Sequence, residues 1–183
     1  MPGRGRRVAP VITAAFGLPA TVLAIVAGGA VQAQSQPGWQ PQFVVTPVIQ
    51  ALPPGVGSER GLQVRTILAK RAISARFPAI TDIGGVRPDS MRRHPEGLAI
   101  DVIIPDYDTA AGKALGDRIA RFAVNNAKRF GVEHVIWQRT YHPASGKPKL
   151  MADLGNDDAN HYTHVHIATD GGGYPNGTET YLR

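Results

Sequence analysis

The 183-residue chain contains no cysteine. No disulfide can brace it and no thiolate can bind a metal, so any metal site must be made from histidine and carboxylate. It has no internal repeat, which excludes a solenoid or a repeat array. Charge is missing from one long stretch, "VITAAFGLPATVLAIVAGGAVQA", residues 11–33. Ahead of it stand Arg4, Arg6 and Arg7, and Val31 and Ala33 occupy the −3 and −1 positions of a candidate cut. A basic start, an apolar run and small residues before a cleavage point describe a secretory signal peptide over 1–33, which places the working domain outside the cytoplasm. An uncleaved membrane anchor is the alternative, since the run is about long enough to span a bilayer. Pro19 and three glycines within it count against that alternative.

An excess of one charge sign is also lacking. The whole chain carries +6, but without the three arginines of the leader 17 basic residues face 14 acidic ones. A net charge of this size serves solubility and leaves no nucleic-acid footprint. A partner among nucleic acids is therefore not expected. A mildly cationic exported protein is drawn instead towards an anionic cell wall.

Residues 34–57 hold five prolines in 24 positions. Proline at that density forbids a long helix and favours an extended linker, in which the apolar "FVVTPVI" is suited to pack as an arm. Regular structure is expected from Ser58 onwards, giving a working domain over 58–183. Apolar Val64, Ile67, Leu68, Ala72 and Ala75 mark a helical face that Pro78 ends. "AITDIGGV" reads as a short strand running into a glycine turn, and "GLAIDVII" as the strongest strand. A long amphipathic helix follows from Asp108 as N-cap to Gly131 as C-cap. "EHVIWQRTYH" and "YTHVHIAT" read as two further strands, joined by a long polar loop over 143–160. Two helices flanking a small, mainly antiparallel sheet make an α+β domain.

Six histidines are spread unevenly along this frame. His94 stands seven residues before Asp101, while His161, His164 and His166 crowd into "NHYTHVHI". Strand periodicity puts Tyr162, His164 and His166 on one face, and Ala99, Asp101 and Ile103 on one face of their own strand. A carboxylate buried unpaired in an aliphatic strand would cost several kcal/mol, so Asp101 needs a partner. Zinc with three protein ligands and an open position suits the set His94, Asp101 and one histidine of the 164/166 pair, with the other free to move protons. An ion pair from Asp101 to Arg87 or Arg92 is the competing reading. An iron facial triad is disfavoured, because its acid usually neighbours one of its histidines. His134 and His142 are read as packing residues.

These residues resemble a known family. "HPEGLAID" fits H-x-x-G-x-A-x-D and "HVH" fits a later H-x-H, the signatures of zinc D-alanyl-D-alanine peptidases, with lysostaphin-type endopeptidases and the hedgehog domain as fold relatives. "GGVR" is similar to the "SGYR" stretch that precedes the first histidine in those enzymes. The likeness covers roughly residues 80–168 and is closest to an extensin-like, secreted actinobacterial branch. It implies a hedgehog/DD-peptidase-like fold, Zn²⁺ on His94, Asp101 and His166, and cleavage of peptidoglycan stem peptides. It further implies His164 as catalytic histidine and Arg87 as the residue that steadies an oxyanion or a substrate carboxylate. Two positions depart from the pattern: Arg92 replaces a serine, and Thr163 stands where a glutamate base is usual. The general base is therefore open between His164 and His161, with Glu96 and Asp153 as outlying candidates. Trp137 and the 143–160 loop are expected to line the peptide groove.

Overall fold

The computed structural model describes residues 50–183. The leader over 1–33, the greater part of the proline-rich segment and its apolar arm lie outside the described residues. Among the described residues no helix is long and apolar enough to cross a membrane.

Helix α1, Val64–Arg76, turns Ile67, Ala69, Ala72 and Ile73 inwards. Its carboxyl end comes at Phe77, directly before Pro78, which disfavours helical backbone in the residue ahead of it. Two short strands come next, β1 at Ile83–Gly84 and β2 at Ala99–Ile103. The single long helix expected over 108–131 is two helices, so the domain has three helices where two were predicted. Helix α2, Ala110–Asn125, is capped by Thr109 rather than Asp108, the Thr109 Oγ1 accepting from Gly112 N at 3.1 Å. Asn126 leaves helical backbone at φ −105°, ψ 18°, and its amide donates to Phe122 O at 2.8 Å. That local bond competes with the helix ladder and stops it. The one-turn α3, Ala127–Phe130, then ends at Gly131 with φ 63°, as expected of a glycine C-cap.

The stretch read as one strand over 133–142 is a hairpin. Strand β3, Val132–Trp137, turns back through Gln138 and Arg139, at φ 49° and 55°, into β4, Thr140–Pro143. Two consecutive left-handed residues are what a two-residue hairpin turn demands, but the usual Asn-Gly or Gly signal is absent here. A short β5, Lys149–Leu150, interrupts the polar loop, and β6, His164–Thr169, closes the sheet. All six strands pair antiparallel in the order β1-β2-β6-β3-β4-β5.

One face of this sheet is the core. Ile100 and Val102 from β2, Val165 and Ile167 from β6, and Val135 and Trp137 from β3 pack with the helices. Gly116 of α2 lies so close to the Trp137 ring that an added Cβ would stand 2.1 Å from it, which explains a glycine inside a helix. Residues 50–57, read as part of a linker or arm, pack on this unit. Leu52 N donates to Tyr181 O at 2.7 Å, and the fully buried Lys70 donates to Ser58 O at 2.6 Å and to Ile83 O at 3.2 Å. The other face of the sheet carries Asp101, His164, His166, His134 and Ile136. A bulge between Val132 and His134 reverses the alternation of β3, so that Val132 and Val135 both reach the core and His134 falls on the opposite side.

Candidate metal centre

Register brings the pieces together. Asp101 of β2 lies directly opposite His166 of β6, and Ile103 opposite His164. Directly paired positions on adjacent strands project side chains to the same face. His94 arrives from a tight turn over residues 92–97, in which Gly97 N donates to His94 O at 3.1 Å and Leu98 N to Arg93 O at 2.8 Å. Gly97 has φ 69°, and an added Cβ would meet Gly61 O at 2.0 Å. Only glycine lets the "HPEGLAID" turn press this closely on the chain beneath it.

His94, Asp101 and His166 are all buried, and one ligand atom from each lies within 4.8 Å of the others. His94 Nε2 is 3.2 Å from Asp101 Oδ2 and 3.3 Å from His166 Nδ1, which is 2.8 Å from Asp101 Oδ1. Ligands held about 2.0–2.1 Å from a tetrahedral zinc ion lie roughly 3.3–3.4 Å apart; the two contacts of His94 Nε2 are near that spacing, while His166 and Asp101 are drawn closer by their hydrogen bond. His94 Nδ1 faces Gly85 O at 2.9 Å, which directs its other nitrogen inwards in the manner of an oriented metal ligand. The competing ion pair is present too: Arg87 Nη2 donates to Asp101 Oδ2 at 2.8 Å. Arg87 Nη1 is bonded to Asp89 at 2.7 Å, so both ends of the guanidinium already hold carboxylates. Arg92 pairs with Glu96 instead, and neither of these lines the site.

The other histidines lie alongside. His164 Nε2 stands 3.7 Å from Asp101 Oδ1, and His161 is packed 4.9 Å from the His164 ring and 5.6 Å from that of His166. His161 is held in left-handed backbone, φ 56°, by its neighbours: Gln138 N donates to His161 O at 2.9 Å and Arg139 N to Asn160 O at 2.8 Å. Asn160 is buried, accepting from Leu154 N and donating to Asp153, both at 2.9 Å. Asp153 is therefore a structural anchor of the loop and does not line the cleft.

A cleft of about 460 Å³ opens over these groups. Met91, Ile136, Tyr141, Met151 and Leu154 give it apolar walls, while Arg87, Arg93, Asp89 and Asp158 supply charge. The 143–160 loop contributes as expected. Trp137 does not: it is on the core face, 2 % exposed, with its indole Nε1 donating to Asp117 at 3.0 Å. His142 lies on that side of the sheet as well. His134, read as a packing residue, lines the cleft and stacks on His166 and Tyr141 at 5.8 and 4.9 Å. Asp158 was missed; its signal was a carboxylate six residues before His164.

Electrostatics follow from this packing. Burial works against the Asp101 charge, but hydrogen bonds from His166 and His94 and the nearby imidazoles overcome it and hold the carboxyl far below the carboxylate range. His94 is also opposed by burial, yet Asp101 raises its pKa. Burial lowers His164, and burial with neighbouring histidines holds His134 and His161 down to about 4. These last two are neutral in the fold where the unfolded chain is protonated, from pH 4 up to 6.5. The unfolded state binds more protons over that interval, so stability rises with pH across it. The melting temperature of metal-free protein is expected to climb between pH 4 and 6.5; a fall there contradicts the neutral imidazoles.

The family described as VldE, C-terminal domain, matches residues 58–162, a stretch that contains His94, Asp101 and His161 and ends just ahead of His164 and His166. Neither curated proteins nor solved structures gave a match.

Proposed function

We propose, from the premise that the chain belongs to the VldE C-terminal domain family, that it is an exported zinc-dependent peptidase. Its substrates in this reading are the stem peptides of bacterial peptidoglycan, and its fold is of the hedgehog/DD-peptidase kind. The observation that carries the reading is the convergence of His94, Asp101 and His166 beside a cleft of about 460 Å³. A site of two imidazoles and one carboxylate suits zinc and leaves a position open.

Zinc bound there supplies a Lewis acid, which polarises a carbonyl and brings the pKa of water to about 7. The remaining work belongs to the chain. His164, buried and neutral, accepts a proton at one ring nitrogen and returns it to the leaving amine. Arg87 orients Asp101 through Nη2, and its remaining N–H donors are free for an oxyanion or a substrate carboxylate. His161 adds a second neutral imidazole beside His164. Met151, Leu154 and Tyr141 offer the substrate an apolar wall.

Purified protein supplied with zinc and incubated with muropeptides is expected to yield new amine termini and shortened stems by mass spectrometry. Binding without cleavage would favour a non-catalytic wall-binding module built on the same centre. One observation supports a second reading: the Arg87–Asp101 bond could satisfy the carboxylate in a metal-free structural domain. Elemental analysis separates the two, since sub-stoichiometric zinc that His94→Ala does not lower further belongs to the metal-free domain.

A further inference from the structure

We infer that Asp158 and Thr163 form a relay that fixes the tautomer of His164, with the proton on Nδ1 and the Nε2 lone pair turned towards the centre. Thr163 Oγ1 donates to Asp158 Oδ1 at 2.9 Å and lies 2.8 Å from His164 Nδ1. A hydroxyl has one proton to give, and an ionised carboxylate can only accept. Once that proton is committed to Asp158, the oxygen faces Nδ1 as an acceptor, so Nδ1 must carry the hydrogen. Asp158 Oδ1 lies 3.4 Å from the same nitrogen and adds a second pull in that sense. The opposite nitrogen, Nε2, is then left unprotonated 3.7 Å from Asp101, beside the proposed ligands.

The arrangement has the logic of a base oriented by a hydroxyl and a carboxylate behind it. It also accounts for the position where the family resemblance led to a glutamate and the chain has Thr163. The carboxylate is supplied from the loop, and the hydroxyl carries its influence to the ring. Asp158 and Thr163 touch no reacting atom in this scheme; they are positioning residues acting through His164. The loop geometry supports the contact, because Tyr162 N donates to Asp157 O and His161 N to Asp158 O, at 2.8 and 2.9 Å, folding 157–163 into a closed turn.

The inference rests on the peptidase reading for its catalytic meaning, but its first test does not. Nitrogen-15 spectra of the histidine rings in metal-free protein at neutral pH report directly which nitrogen is protonated. The expected result is an Nδ1–H form for His164 that Thr163→Ser preserves and Thr163→Val loses. An Nε2–H form in the wild-type protein, or a His164 signal unchanged by Thr163→Val, overturns the relay whatever the protein's activity. With muropeptide substrate, Thr163→Val is expected to lower kcat on the order of 10- to 100-fold, the range of partners that orient a site from behind. KM should change little and Thr163→Ser should recover most of the rate. A serine variant as slow as the valine one also overturns it. If wild-type protein cleaves nothing while the tautomer is as stated, the peptidase reading fails and the relay stands.

Discussion

Replacing Asp101 by asparagine is expected to strip the protein of stoichiometric zinc and to weaken its metal-free fold. The carboxylate is the single anion of the proposed ligand set, lying 2.8 Å from His166 Nδ1 and 3.2 Å from His94 Nε2, with Arg87 bonded behind it. An amide offers no charge to offset a divalent cation, so affinity should fall by more than about 100-fold, beyond what changes behind the ligands produce. The fold loses as well, because Arg87 and His94 keep their positions while their counter-charge is gone. His94 is buried, but Arg87 is 46 % exposed and water screens its share, so the loss is smaller than the cost, about 3–5 kcal/mol, of breaking a fully buried pair on one side. The sign with pH follows from Asp101's depressed pKa. Its contribution to stability is complete above the unfolded-chain value of 3.8 and declines as pH falls below it. Denaturation of metal-free protein should therefore separate wild type from Asp101→Asn clearly at pH 6 and by less at pH 3. Wild-type zinc content in the variant would remove Asp101 from the ligand set.

What the sequence disclosed about this centre came from period-two spacing. "GLAID" and "HVHI" each place a ligand on a definite strand face, and antiparallel pairing of Asp101 with His166 is all that is needed to join those faces. The close approach of Gly97 to Gly61 O was not legible, because it depends on a segment distant in sequence. The rest was hidden for physical reasons. A left-handed Gln138–Arg139 pair makes a hairpin without the residues that normally announce one, so two strands read as one. The bulge after Val132 shifts the phase of β3, and that single step moves His134 into the cleft and Trp137 out of it. A bulge is set by how the strand meets its neighbours, which no local pattern reveals. Asp158 reaches His164 only through the folding of its turn, and the resemblance drew attention to Thr163 instead. The break at Asn126 rests on one side-chain bond that competes with a helix otherwise well patterned.

His164→Ala should separate chemistry from metal binding more sharply than any change at the ligands. His164 is buried and near the centre, but its Nε2 is 3.7 Å from the closest oxygen of Asp101, whereas His94 and His166 approach that carboxylate to 3.2 and 2.8 Å. The group able to hold a metal is His94, Asp101 and His166, and alanine in place of His164 leaves those three free to hold zinc. A positioned general base contributes about 10²- to 10⁴-fold, so muropeptide cleavage should fall by that factor while zinc stays at one per chain. His166→Ala gives the contrast, since it removes the central donor of the set and should lose both metal and rate. The pair of variants also tests His161. If it were the sole base, with His164 a ligand, His164→Ala would empty the centre and His161→Ala would keep zinc yet abolish turnover. Zinc content and rate measured together on these three proteins decide which imidazole moves the proton.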